Sequence, residues 1–596
     1  MKKKFTLFIA SLFAVFYVQA TENATFGWNL IGGGVKTDSP TGVATDANGN
    51  IYTAASFQLS ATFNGITLTG AAKGSGANPD NNIFISKMSS TKTNLWNIYS
   101  NNGAVTPTSI TVSTAGDLIV TGNMRAVINT AGQTTAANII DAAGTITTFT
   151  GLGSAATSAQ SFVAKFNANG IIQWVKEINS GTAKDNTVTT NALTTDNAGN
   201  VYVCGYFNAT VVMPGTSTII TSTNTTQASF VAKLDGATGN SVWTKTSSGS
   251  ILSENFSALT FGNDGYIYVA GIFRNNATAP IAVTIGTASF TPSSGYDIVL
   301  LKLNTDGTVV YVQDRSNTGD TRVKEILING NSAFVGGSFR GDGTNSIKFT
   351  PTPLSSTAAY INGFIASFNT TTGADIWQKA VLAPAISEVL DLAIGYDNNL
   401  YATGYHYNAL STTVPAGPVV FGNGFELVDA TNKMGDAFLT AYNASTGVIQ
   451  EVHIVAKGDK ADLVANICSS GENLYLLGKY GSTTLTFENA ATATLTGGAA
   501  FDFFLANYKV SQTTGTQSIS KNTPFVVVDK ANKLIHIKNT ESIATINLID
   551  ITGRLIKSEK TNGSNTDLSV QGLNTGVYLI QLTDKAGKAT SLKFKY

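Results

Sequence analysis

The chain has three histidines with which acid–base or metal chemistry could be built: His406, His453 and His536. None stands in a His-Glu-x-x-His or comparable metal-holding spacing. There is no Gly-x-Ser-x-Gly elbow to present a serine nucleophile. With so few histidines, a Ser-His-Asp constellation has few bases to draw on, and nothing in the sequence pairs them. Carboxylates are more numerous. Asp46-Ala-Asn-Gly-Asn50, Asp196-Asn-Ala-Gly-Asn200 and Asp397-Asn-Asn399 carry the oxygens that calcium gathers. The same residues also cap turns through their own backbone. The copies at 329–332 and 468–473 lack the aspartate, so the motif follows a hairpin rather than a metal. No catalytic residue, metal or cofactor is expected. The two cysteines, Cys204 and Cys468, fall at different points of a repeat and read as buried free thiols.

Those turns belong to elements that recur along the chain. The segment Ala192 to Phe207 returns at 42–57, 109–124, 258–273, 325–339, 391–406 and 466–480, which makes seven copies. Each unit reads as four short strands joined by Gly, Asn and Asp turns, a meander sheet. Ser257-Ala-Leu-Thr260 is a first strand. Tyr266 to Phe273 is a second, Asp297 to Leu303 a third and Thr308 to Val312 a fourth. A glycine recurs in the second strand at Gly122, Gly205, Gly271, Gly337, Gly404 and Gly478, with Ala55 in the first copy. Glycine inside a strand marks a bulge or a close backbone approach.

All five tryptophans share one repeat position: Trp28, Trp96, Trp174, Trp243 and Trp377, with Tyr311 and Gln450 in the other two copies. A large ring once per unit is expected to wedge between neighbouring sheets. Copy seven stops after its third strand at Phe503 to Val510, while Phe26-Gly-Trp-Asn-Leu30 stands alone at the start. Pairing the two removes two open sheet edges. The expected fold is all-β: a seven-bladed β-propeller over residues 21–510, closed by the N-terminal strand, plus a small C-terminal β-sandwich.

The repeat resembles the bacterial seven-bladed β-propeller repeat of secreted and surface proteins. The likeness rests on Phe162-Val-Ala-Lys-Phe166, Trp174-Val-Lys176, Thr195 to Asn200 and Tyr202-Val-Cys-Gly205. It implies a fold and says almost nothing of an activity. The turns Asp235 to Gly239 and Asn369 to Gly373 resemble the tryptophan-docking repeats of quinoproteins, but the vicinal cysteine pair of that family is absent.

The ends carry addresses. Lys2 to Lys4, an apolar run from Phe5 to Val18 and Val18-Gln-Ala20 make residues 1–20 a signal peptide. The run is shorter than the roughly 20 residues a spanning helix needs, and no transmembrane segment is expected in the mature chain. Residues 511–523 form a polar linker. Residues 524–596 resemble the type A C-terminal sorting domain of the type IX secretion system of Bacteroidota. The motif residues include Asp550, Thr552, Gly553, Gly576 and Tyr578, and Thr523-Pro-Phe525 stands where the family opens with a Tyr-Pro-Asn-Pro-like turn. The resemblance implies contact with type IX secretion machinery and a secreted or outer-surface location.

Lys+Arg and Asp+Glu are both 37, so formal net charge is zero, and a nucleic-acid partner is not expected. The reading is a monomeric binding module for a glycan or protein ligand, with the long loops at 58–81, 125–160 and 407–435 as its expected binding surface. Two alternatives stand beside it. A propeller-based extracellular lyase or glycosidase requires acidic groups in perturbed environments converging at the central channel. A structural surface or adhesion component requires a broad apolar patch.

Overall fold

The computed structural model describes residues 24–595 except 71–79, 126, 129–133, 150–158, 182–185, 223–226, 250, 277–279, 318, 341–345, 357–359, 408–417, 423–424, 428–434, 489–490, 495–500, 512–524, 530–533, 539–542, 551–552, 562–564, 574–576 and 586–588. The signal segment 1–20, nearly all of the linker, Thr552 and Gly576 lie outside the described residues. Every regular element among those described is a strand. They fall into two compact units, one within Gln19–Gln512 and one within Thr513–Tyr596.

In the larger unit the described strands form seven antiparallel sheets, each built on four strands, and four of them are extended to six strands by a further hairpin. Their first strands are Ser39–Thr45, Ala104–Val112, Val188–Thr195, Ser253–Phe261, Thr321–Asn329, Ile386–Ile394 and Asp462–Ser470, here numbered as sheets one to seven. Each first strand packs beside the next, and that of sheet seven packs beside that of sheet one. Sheet seven takes its fourth strand from the start of the chain. Ala24–Gly34 runs antiparallel to Asp502–Val510, with Ala24 opposite Val510 and Gly32 opposite Phe503. The third strands are buried from end to end or nearly so, as Asp297–Leu303 illustrates. A strand covered on both faces reads as a continuous apolar run.

The recurring glycines have a steric cause. In every copy the first strand carries a bulge, for example between Thr190 and Ala192 and between Val389 and Asp391. The bulge pushes a carbonyl towards the second strand. A Cβ on Gly205 would lie 1.9 Å from Thr189 O, and one on Gly404 would lie 1.9 Å from Glu388 O. Gly271 and Gly337 meet Asn255 O and Arg322 O at 2.1 and 2.0 Å, and Gly122 meets Thr106 O at 2.4 Å. At Gly478 the Phe504 ring and Leu463 O occupy that space. No larger residue fits without moving backbone, and bulges of this kind re-aim the side chains beside them.

The tryptophans join sheets by hydrogen bonds as well as by packing. Trp96, Trp174, Trp243 and Trp377 each donate Nε1–H to a carbonyl in the third-to-fourth-strand turn of the following sheet: Ala168, Gly236, Thr305 and Ala444, at 3.0, 3.2, 3.0 and 3.0 Å. Tyr311 makes the same reach to Thr370 O at 3.4 Å. A positive-φ glycine of that turn rests on the ring, Gly170 on Trp96 and Gly307 on Trp243 among them. Trp28 instead packs near Tyr475 and lies under Lys92 Nζ, 5.2 Å from its ring.

The long second-to-third-strand loops are largely structural. Ser60–Phe63 with Ile66–Thr69 is a hairpin that pairs with Gly32–Gly34 on the outer strand of sheet seven. The hairpins at Asn138–Ile140, Val283–Ile285 and Thr484–Phe487 pair in the same way with Tyr99, Ser247–Ser248 and Ala456–Lys457. Bridges at Asn179, Asn317 and Leu382 tie the other three copies. Each loop thus covers part of the open edge of the preceding sheet. In the regions described, the loops expected to bind ligand also pair with a neighbouring sheet.

The junction of sheets six and seven holds a buried ionic cluster. His453 Nε2 lies 3.0 Å from Glu451 Oε2, and its Nδ1 lies 2.9 Å from Glu488 Oε1. Tyr508 donates to Glu488 at 2.6 Å, and the Ala24 amide donates to Glu451 at 3.1 Å. Burial alone lowers the imidazole pKa, but the hydrogen bonds and charges of the two glutamates outweigh it and raise it to about 9. The smaller unit is separate. Its three- and four-stranded sheets share one core that includes Ile535, Ile546, Leu568, Tyr578 and Ile580. Asp550 there accepts the Arg554 amide and ion-pairs with its guanidinium at 2.9 Å, across a turn with Gly553 at φ 85°.

Two predictions follow from these contacts. Trp243→Phe keeps most of the packing and deletes one donor, so chemical denaturation should show a loss of about 1–2 kcal/mol, against about 3–5 kcal/mol for Trp243→Ala. For His453, a folded pKa above the free value of 6.5 gives stability that is full below 6.5 and lost as pH rises through about 9. The stability advantage of wild type over His453→Gln should therefore shrink by roughly 3 kcal/mol across that window, measured by denaturation at a series of pH values.

Candidate functional site

The hairpin aspartates are saturated by the protein itself. Asp46 accepts the amides of Asn48 and Asn50, the Asn50 side chain and the Tyr52 hydroxyl, and pairs with Lys87 at 3.1 Å. Asp196 is held by Ala198, Asn200 and Tyr202 in the same way, and Asp397 by Asn399 and Tyr401. Burial raises the Asp46 pKa, but the donors of Asn50 and Lys87 prevail and hold it below the usual carboxylate range. These carboxylates are clasps for the hairpin and the third strand. Cys204 and Cys468 are free thiols, both pushed up by burial.

A comparison of the seven first strands locates what is different. The residue whose carbonyl meets the glycine is Thr106, Thr189 and Asn255 in sheets two to four, but Arg322 and Glu388 in sheets five and six. The bulged residue is Thr108, Asn191 and Ser257 in those earlier sheets, then Lys324 in sheet five. The next residue is Ser109, Ala192 and Ala258, then Glu325 and Asp391. At these positions charge enters only in sheets five and six. This signal was available from alignment of the copies with one another, because a symmetric scaffold does not require the exception.

One of these exceptions, Glu388, lines a cleft of about 290 Å³ between sheets six and seven, at the end where their first strands begin. Its walls include Leu390, Tyr405, Tyr407 and Phe501, and its polar groups are Glu388, Asp462 and Lys479. Tyr405 and Tyr407 pack edge to face with centroids 5.6 Å apart. Glu388 is fixed by Arg322 at 3.3 Å and Ser338 at 3.1 Å. Asp462 accepts the Ser482 hydroxyl at 2.7 Å and the Gly481 amide at 3.1 Å, and burial pushes its pKa up to about 7. The bulge opposite Gly404 sets the Glu388 backbone, so a repeated structural device aims a unique side chain.

Nearby, on the first strands of sheets five and six, stand Glu325 and Asp391. Both carboxyls are pushed well above their ordinary range by burial, and Glu325 also by the charge of Asp391. Asp391 accepts the Ile467 amide of sheet seven at 2.8 Å. None of the sequence-selected repeat residues lines the cleft; Gly337, Gly404 and Gly478 lie one residue before Ser338, Tyr405 and Lys479, and Trp377 lies elsewhere in sheet five.

Residues 531–594 match the family described as the secretion system C-terminal sorting domain, and residues 173–209 match a β-propeller repeat. No curated protein matches the chain. Similar solved structures include the quinohemoprotein alcohol dehydrogenase of Comamonas testosteroni, with 10% identity and a TM-score of 0.33 over 86% of this chain and 80% of that one. PorZ, a surface component of the type IX secretion system of Porphyromonas gingivalis, has 10% identity and a TM-score of 0.17 over 95% and 100%. The endosialidase of phage phi92 has 9% identity and a TM-score of 0.33 over 96% and 87%. Likenesses this distant carry no inference about function. Among the described residues no helix is long and apolar enough to cross a membrane. The chain is an all-β protein with a β-propeller repeat and a C-terminal sorting domain of the type IX secretion system, and it is secreted or displayed at the cell surface.

Proposed function

We propose that the seven sheets are the blades of one propeller closed by the N-terminal strand, and that this ring binds a glycan at the cleft between sheets six and seven. The observation that supports this reading is the cleft itself: aromatic walls from Tyr405, Tyr407 and Phe501 beside fixed polar groups. Flat rings of this kind pack on the apolar face of a sugar, while a few placed polar groups orient its hydroxyls. The type IX export route would bring such a site outside the cell. Closure by strand Ala24–Gly34 is supported by its ladder with Asp502–Val510. A second reading, an extracellular lyase or glycosidase, is favoured by Glu325 and Asp391, since carboxyls whose pKa burial raises suit general acid–base work.

Two experiments test these readings. Deletion of residues 21–31 should unfold sheet seven and lower the midpoint of thermal denaturation sharply; an unchanged midpoint overturns closure. A glycan array probed with the mature chain, with and without chelator, should give hits that fall about tenfold or more in Tyr407→Ala. A blank array directs attention to a protein partner. Turnover of an array hit that is lost in Glu325→Gln, with binding retained, would establish the enzyme reading in place of a pure binding role.

A further inference from the structure

Lys479 differs from four other buried or half-buried lysines of the ring. Lys87, Lys165 and Lys302 lie 3.0–3.1 Å from Asp46, Asp117 and Asp264, and Lys233 lies 3.8 Å from Asp196. Lys479 has no carboxylate within salt-bridge distance among the described residues. Its Nζ donates to Ser39 Oγ at 3.1 Å and sits 4.2 Å from the centroid of Phe501, a wall of the cleft. It also breaks the repeat: the corresponding residues are Ser56, Asn123, Tyr206, Ile272, Ser338 and Tyr405.

The neighbouring acids do not answer its charge. Glu388 is engaged by Arg322 and Ser338. Asp462 is engaged by Ser482 and Gly481. Asp38, adjacent to Ser39, is pushed up to about 8 by burial and by the charge of Asp502, so it is largely neutral at pH 7. Burial lowers the Lys479 pKa, and no nearby carboxylate raises it. A half-buried ammonium facing a hydroxyl and an aromatic face retains capacity for an anion, and a charge-assisted hydrogen bond is the strong kind.

Building on the glycan reading above, we infer that the cleft takes an acidic saccharide, a sugar bearing a carboxylate, with that carboxylate on Lys479 Nζ and the ring against Phe501 and Tyr407. Glu388, held as an acceptor at the other side of the cleft, takes hydroxyl donors. The unmatched cation then selects uronic-acid-type glycans over neutral sugars of the same shape.

The test is titration calorimetry of the mature protein with an oligogalacturonate and with its carboxyl-reduced, neutral counterpart. The acidic ligand should bind about tenfold or more tightly than the neutral one. Lys479→Met, which keeps the aliphatic stem, should abolish that preference by weakening the acidic ligand about tenfold or more, and Lys479→Arg should retain it. Thermal denaturation checks that the variants fold, and the wild-type comparison of the two ligands decides the matter without any variant. Equal affinity for both ligands, an unaltered preference in Lys479→Met, or no binding of the acidic ligand overturns the inference. Neutral-glycan binding without acidic preference leaves the broader reading standing, whereas failure of every saccharide together with a blank array removes both.

Discussion

One shared carbonyl at each of four junctions carries much of the order in the larger unit. In sheets one to three the third-strand lysine and the fourth-strand tryptophan both donate to a single turn carbonyl of the next sheet: Lys87 and Trp96 to Ala168, Lys165 and Trp174 to Gly236, Lys233 and Trp243 to Thr305. In sheet four Lys302 and Tyr311 meet on Thr370. The same lysine is held from behind by the hairpin aspartate of its own sheet. A chain of contacts therefore runs from hairpin to third strand to fourth strand to the next turn. The geometry demands a turn without a side chain over the ring, which is why a glycine such as Gly307 stands there with φ 84°. A charge-assisted donor and an indole N–H sharing one acceptor define the angle between sheets more sharply than apolar contact alone.

The scheme weakens where sheets six and seven meet. Gln450 replaces the ring there. Other contacts substitute. Glu451, His453, Glu488 and Tyr508 join the two sheets through ionic hydrogen bonds, and the N-terminal strand takes part through the Ala24 amide. The cleft lies at this same junction. A site placed where the standard contacts are relaxed leaves the symmetric remainder free to act as a rigid support.

Particular residues show how far the sequence could be read. The tryptophan position and the glycine position were visible as repeats, and the orphan strand at Phe26-Gly-Trp-Asn-Leu30 was visible as an unmatched piece. The all-β class and the sorting segment needed little more than alternation, turn residues and motif. The hairpins at 60–69 and 484–494 were not legible as edge covers, because the strand each one pairs with is far away in sequence: Ser60–Phe63 meets Gly32–Gly34, and Thr484–Phe487 meets Ala456–Lys457. Loop variability pointed to binding there, and the part described also pairs with a neighbouring sheet.

The cleft was hidden for a related reason. Glu388, Tyr407, Asp462, Lys479 and Phe501 are spread over more than a hundred residues, and no local pattern links them. What the sequence determined by itself was everything with a short period: the strand alternation, the turn chemistry, the once-per-unit ring and the export domain. These depend on neighbours within a few residues or on exact recurrence. What only tertiary structure decided was which loops pair with which edges, which carboxylates are clasped and which lysine is left without a counter-ion. Those depend on distances between different sheets, and burial and Coulomb interactions act through space whatever the separation along the chain.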